Sequence, residues 1–149
     1  MDTTELPPDF KEFLQLLDAE KVEYLLVGGY AVGAHGFVRG TGDLDIWVAI
    51  SEQNALSLVR VLRRFGFSKT AVDEAFFLKA HQIVTMGHPP LRIDLMTSVS
   101  GVEFSEAYQK HEVKVMDGVP VRVISRDDLM RNKRAAGRPK DANDIVELG

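Results

Sequence analysis

Residues Leu25 to Ile50 read LLVGGYAVGAHGFVRGTGDLDIWVAI, and the reading of this stretch decides the fold. It starts as an apolar strand, with Tyr24 to Val27 the strand proper, and breaks at Gly28-Gly29. A short helix-compatible segment follows, and the chain re-emerges through Arg39-Gly40-Thr41-Gly42 into a second strand. That strand carries Asp43 and Asp45. Side chains alternate along a strand, so the two aspartates share one face while Leu44, Ile46 and Val48 share the other. Two close carboxylates raise each other's pKa unless a cation neutralises them, and such a set of oxygens suits Mg²⁺ or Mn²⁺ far better than a soft metal.

Working outward towards the N-terminus, Pro7-Pro8 suits a helix start, and Phe10, Phe13, Leu14, Leu16 and Leu17 form a helical stripe reaching Ala19. Towards the C-terminus, Ser51 is placed as the N-cap of a helix over Glu52–Phe65, ended by Gly66. Phe76–Leu78, Ile83–Met86 and Leu91–Met96 read as strands, the last two joined by a turn at Gly87-His88-Pro89-Pro90. In the last of these, Arg92 and Asp94 share a face opposite Leu91, Ile93 and Leu95. An aspartate inside an apolar strand requires a reason.

Glu103–Gln109 suits a short helix, and His111–Val115 with Val119–Val123 form a hairpin around Met116-Asp117-Gly118. Ser125 with Asp128 resembles a capping box for a helix to Ala136; Gly137 interrupts it and Pro139 restarts a helix. The resulting order, αβαβαβββαββαα, predicts an α/β (α+β) fold, a mixed sheet flanked by helices. At 149 residues it makes one domain, with a core over about 22–124 and a C-terminal helical segment over about 125–149.

Composition narrows the function. The hydrophobic share of 45% is that of an ordinary globular chain, with no apolar run long enough for a membrane span. The start, MDTTELPPDFKEF, lacks the basic and apolar regions of a secretory signal, and the chain has no cysteine; a cytoplasmic location is expected. A net charge of −4 argues against an all-over nucleic-acid surface, although basic residues cluster near the C-terminus. His35, His81, His88 and His111 lack mutual metal-ligand spacing, which weakens a histidine-based phosphoesterase reading. His35 is expected to be structural, and Trp47 to pack in the core.

The ordered set Val27-Gly28-Gly29, then Asp43-Leu44-Asp45-Ile46, then Arg92-Ile93-Asp94-Leu95 resembles the DNA polymerase beta-like nucleotidyltransferase superfamily. The wider pattern, with Arg39, Thr41 and the closing Lys133 to Asp144 segment, is similar to its small bacterial members: AbiEii-type toxins, minimal nucleotidyltransferases and lincosamide nucleotidyltransferases. The resemblance implies transfer of an NMP from an NTP to an acceptor hydroxyl, with pyrophosphate released. Asp43, Asp45 and Asp94 would be catalytic and would hold two Mg²⁺ (or Mn²⁺) ions. Gly28 and Gly29 would let the backbone approach the triphosphate. Arg39, Thr41, Lys133, Arg138 and Lys140 would complete the nucleotide site.

The acceptor is open among tRNA or other RNA, a protein and a small molecule, and a homodimer or partner protein could complete its site. The competing reading is a non-catalytic nucleotide- or partner-binding member of a toxin–antitoxin pair. Residue by residue, Gly28-Gly29 could be an ordinary turn, Arg39 a surface ion pair, and the Lys133–Lys140 cluster a solvated helix face.

Overall fold

The strand β2 (Asp43–Val48) lies at the centre of a six-stranded sheet, antiparallel to β1 (Tyr24–Val27) on one side and parallel to β4 (Leu91–Met96) on the other. The computed structural model describes residues 5–37 and 42–149. Beyond β4 lies the edge strand β3 (Ile83–His88); beyond β1 come β6 (Val119–Val123), parallel to it, and the second edge, β5 (Glu112–Met116). The sheet is mixed, as the sequence predicts.

Helix α1 (Pro8–Ala19) buries Phe10, Phe13, Leu14 and Leu17. It packs against α3 (Glu52–Phe65), where Phe13 meets Phe65 edge-on with ring centroids 5.1 Å apart. The Ser51 hydroxyl accepts the Asn54 amide at 3.1 Å, and Gly66 closes α3 in the left-handed conformation, both as the sequence signals indicate. Leu44, Ile46 and Val48 are fully buried, so one face of β2 belongs to the core. That core holds Asp43 and Asp45 on the opposite face.

Two expectations are corrected. Phe76–Leu78 is not a strand: the short helix α4 (Glu74–Phe77) takes its place, with the Asp73 carboxylate accepting the Phe76 amide at 3.0 Å. A local cap closed a helical turn where only three apolar residues argued for a strand. The Ser125 capping box is half formed at α6 (Arg126–Ala136). Ser125 accepts from the Asp128 amide, but the buried Asp128 carboxylate takes Lys110 and Arg131 instead of reaching back. The reciprocal contact occurs one helix later, where Asp141 of α7 (Pro139–Leu148) accepts the Arg138 backbone N–H at 3.1 Å.

One structural residue escaped the sequence reading. Asn54, on α3, is buried; its Oδ1 accepts the Glu23 amide at 2.8 Å, and its Nδ2 donates to the carbonyls of Ala49 (2.8 Å) and Glu23 (3.1 Å). It ties the start of β1 to the end of β2. Asn54→Ala takes this partner from the Glu23 amide and the Ala49 carbonyl, while the Glu23 carbonyl keeps the Ala49 amide at 3.1 Å; it is expected to lower stability by about 2 kcal/mol, measured by urea unfolding.

Candidate active site

The parallel register of β2 and β4 builds the site. It sets Asp43 opposite Arg92 and Asp45 opposite Asp94, all on the face turned away from the core. The antiparallel neighbour β3 brings Thr85 opposite Asp94, and the Thr85 hydroxyl donates to Asp94 Oδ1 at 2.7 Å. Thr85 was not among the sequence-derived candidates; its place follows from strand pairing, which no local pattern states.

Gly28 closes the site from the junction that follows β1. It has φ +70°, a conformation costly for any other residue, and a β-carbon there would stand 2.1 Å from Asp45 Oδ2 and 3.0 Å from Asp45 Cβ. The glycine therefore marks a close approach of backbone to carboxylate, beyond an ordinary turn. Gly29 is buried at the start of α2 (Gly28–Ala34). Gly42 is equally confined: a β-carbon would lie 1.8 Å from the Pro90 carbonyl oxygen, so the entry to β2 runs flush against the β3–β4 turn.

The electrostatics separate the acids. Hydrogen bonds from Arg92 hold Asp43 below the usual carboxylate range, against a smaller burial effect, with the guanidinium charge and that of Lys140 assisting. Asp45 moves the other way. Burial first, then the negative charges of Asp94 and Asp43, push it up to about 6, although Lys140 and Lys133 partly compensate.

The sign of the resulting pH dependence follows. Asp45 titrates near 6 in the folded chain and near the ordinary aspartate value of 3.8 when unfolded. Its contribution to stability is fully present below pH about 4 and is lost as pH rises through 6, amounting to at most about 3 kcal/mol. Asp45→Asn removes this dependence. Thermal melts of the metal-free protein are expected to show the variant gaining on wild type between pH 4 and 6 and holding that advantage at pH 7.

The acids open into a cleft of about 450 Å³, lined by Gly28, Asp45, Asp94, Ser98, Asn132 and Arg138 among others. Its far wall is α6 with the start of α7. Lys133 also lines it, yet the reading of a solvated helix face is wrong for this residue. It is buried, its ammonium lying 3.2 Å from both Asp141 and Asp144. Its charge reaches Asp45 as a field, while its donors face the two aspartates.

Burial alone would raise Asp141, but bonds from Arg138 and Lys133 hold it below the usual range. Arg138 stays half exposed at the cleft while bonded to Asp141 at 2.7 and 3.1 Å. His35 is structural, its Nε2 donating to the Ile124 carbonyl at 2.7 Å, and Trp47 is buried edge-on to Phe104. Arg39 and Thr41 lie outside the described residues.

An all-oxygen donor set with a largely buried carboxylate beside two others fits a hard divalent cation in composition. Its arrangement is incomplete: among the described residues no group of three or more acids or histidines is gathered as for a metal. Both oxygens of Asp43 are engaged by Arg92, at 3.1 and 2.7 Å.

Comparison with known proteins agrees with this fold. A Thermotoga maritima protein assigned as a nucleotidyltransferase by inference superposes with a TM-score of 0.63 at 15% identity, covering 97% of this chain and 95% of that one. The lincosamide antibiotic adenylyltransferase LnuA, solved with lincomycin bound, gives 0.57 at 14% identity and covers 98% of each chain. An antigenic nucleotidyltransferase-like protein of Paracoccidioides brasiliensis gives 0.56 at 17% identity, over 94% of this chain and 74% of that one. At these identities the likeness establishes the fold. Comparison with curated protein sequences finds no match. The family described as nucleotidyltransferases of unknown function (DUF6036) matches residues 4–149, and the chain belongs to it.

Proposed function

We propose that the chain is a metal-dependent nucleotidyltransferase that moves an NMP from an NTP to an acceptor hydroxyl. The observation that carries this reading is the register pairing of Asp45 with Asp94, with Asp43 on the same face and the Gly28 backbone pressed against Asp45. The acceptor oxygen attacks the α-phosphorus, the bond to the β-phosphate breaks, and pyrophosphate leaves. Asp43, Asp45 and Asp94 would hold two Mg²⁺ ions, or Mn²⁺ in their place, which when bound would offset the charge of the triphosphate and acidify the acceptor hydroxyl.

Asp94, steadied by Thr85, lies at the acceptor side and takes part in removing the hydroxyl proton. Gly28 and Gly29 bring the backbone close to the triphosphate, and at Gly28 a side chain would run into Asp45. Arg138 and Lys140 supply positive charge from the C-terminal wall, and Lys133 holds that wall in place. Arg39 and Thr41 keep the phosphate and loop roles that the resemblance gives them. No helix of the described residues is long and apolar enough to cross a membrane; we assign the protein to the cytoplasm. The acceptor class remains RNA, protein or a small molecule, and the C-terminal helices, a second copy or a partner protein would bind it.

Pyrophosphate release tests the reading. Each NTP is supplied with Mg²⁺ and with pools of tRNA, protein or hydroxyl-bearing small molecules. Wild type is expected to release pyrophosphate with one combination, and Asp94→Asn to lose at least about 100-fold of that rate. Tight NTP binding without release in any pool would move the protein to the nucleotide- or partner-binding reading of a toxin–antitoxin pair.

A further inference from the structure

Arg92 stands in the acid cluster without belonging to the acid set. Strand register puts it opposite Asp43 and two residues from Asp94 on the same sheet face. Its Nε and Nη2 donate to the two oxygens of Asp43, at 3.1 and 2.7 Å, a fork-on-carboxylate contact that uses both oxygens at once. Among the described residues it is the one cation hydrogen-bonded to Asp43, Asp45 or Asp94.

The pair is built to open. Both side chains are over one-third exposed, so water and ions reach it directly. The backbone, by contrast, is fixed: the Arg92 amide donates to the Gly42 carbonyl at 3.0 Å, and Gly42 is confined against Pro90. Any exchange at Asp43 is therefore a swing of the guanidinium alone, leaving both strands where they are.

Resting on the reading of these acids as a metal site, we propose that Arg92 is a latch on Asp43. A divalent cation displaces it, and the released guanidinium then grips the phosphates of the nucleotide. A doubly charged cation contacts carboxylate oxygen more closely than an N–H donor does, and so displaces a singly charged fork at an exposed site. The freed fork matches phosphate oxygens as well as it matched the carboxylate. Metal loading and nucleotide binding are thereby coupled through one side chain. Arg92 acts as a positioning residue before the cation arrives and as a phosphate ligand afterwards.

The test uses the full chain with Mn²⁺ and inorganic tripolyphosphate as probes, both followed by calorimetry. Without phosphate, Arg92→Gln is expected to bind Mn²⁺ about 5- to 10-fold more tightly than wild type, because the competitor for Asp43 is gone. With Mn²⁺ saturating, the same variant is expected to bind tripolyphosphate at least about 10-fold more weakly. A residue that merely supports the fold would not move the two affinities in opposite directions.

Arg92→Lys, which keeps the charge and loses the fork, is expected to fall between the two and guards against misfolding of the glutamine variant. Unchanged or weakened Mn²⁺ binding in a folded Arg92→Gln overturns the latch, as does unchanged tripolyphosphate binding. If Mn²⁺ binds wild type and is lost in Asp94→Asn, the metal-site reading stands whatever Arg92 does. If neither wild type nor Arg92→Gln binds Mn²⁺ at millimolar concentration, that reading itself fails.

Discussion

Lys133→Met is expected to lower the stability of the fold by about 3–5 kcal/mol, the range for removing one partner of a buried ion pair. The ammonium is buried between Asp141 and Asp144, 3.2 Å from each, and both aspartates are themselves buried. Methionine fills most of the volume but leaves two carboxylates without their shared cation. For a chain of 149 residues the loss corresponds to a fall in Tm of roughly 10 °C.

Combining Lys133→Met with Asp144→Asn should recover part of it, because Asp141 keeps its bonds to Arg138. If Lys133→Met alone melts within 2 °C of wild type, the cluster is not what sets α6 against α7. The cleft wall would then need another support. The same variant removes a positive field at Asp45, so the Asp45 titration should move further upward.

The second large effect is at Gly28. Gly28→Ala asks an L residue to hold φ +70° and sets a methyl 2.1 Å from Asp45 Oδ2. The conformation alone costs about 1–2 kcal/mol. The clash cannot be relieved cheaply: aspartate is short, and its Cβ, on a central strand, is already 3.0 Å from the added carbon. Either Asp45 leaves its position or the β1–α2 junction shifts.

Gly28→Ala is therefore expected to lose at least 2 kcal/mol of stability, and with it about 10-fold or more in Mn²⁺ affinity. Gly28→Ala with Asp45→Ala should regain stability without regaining Mn²⁺ binding, giving a coupling of about 1–2 kcal/mol in the double-mutant cycle. Additive losses would show that the glycine answers only a backbone need.

The site was legible in the sequence wherever a period of two carried it. Asp43 and Asp45 against Leu44 and Ile46, and Asp94 against Ile93 and Leu95, declare their faces locally, and the structure follows them. Ser51, Gly66 and Gly137 declare helix ends for the same local reason.

What could not be read depended on register or on the meeting of distant segments. Arg92 was seen to share a face with Asp94, but only the parallel pairing of β2 with β4 delivers it to Asp43. Thr85 reaches Asp94 through a further strand, and Lys133 is buried only because α7 folds back on α6 after Gly137. At Phe76–Leu78 a local signal was present in Asp73 and was outweighed by three apolar residues in a row.

The central claim is that the three acids serve a nucleotide and its metal. Calorimetric titration of each of the four NTPs, with and without Mg²⁺ or Mn²⁺, tests it in wild type and in Asp43→Asn/Asp45→Asn, with no acceptor required. The account predicts that wild type binds at least one NTP in a metal-dependent way and that the double variant does not. Failure of both proteins to bind any NTP, or equal binding by both, would contradict it and leave the acid cluster to a partner-binding role.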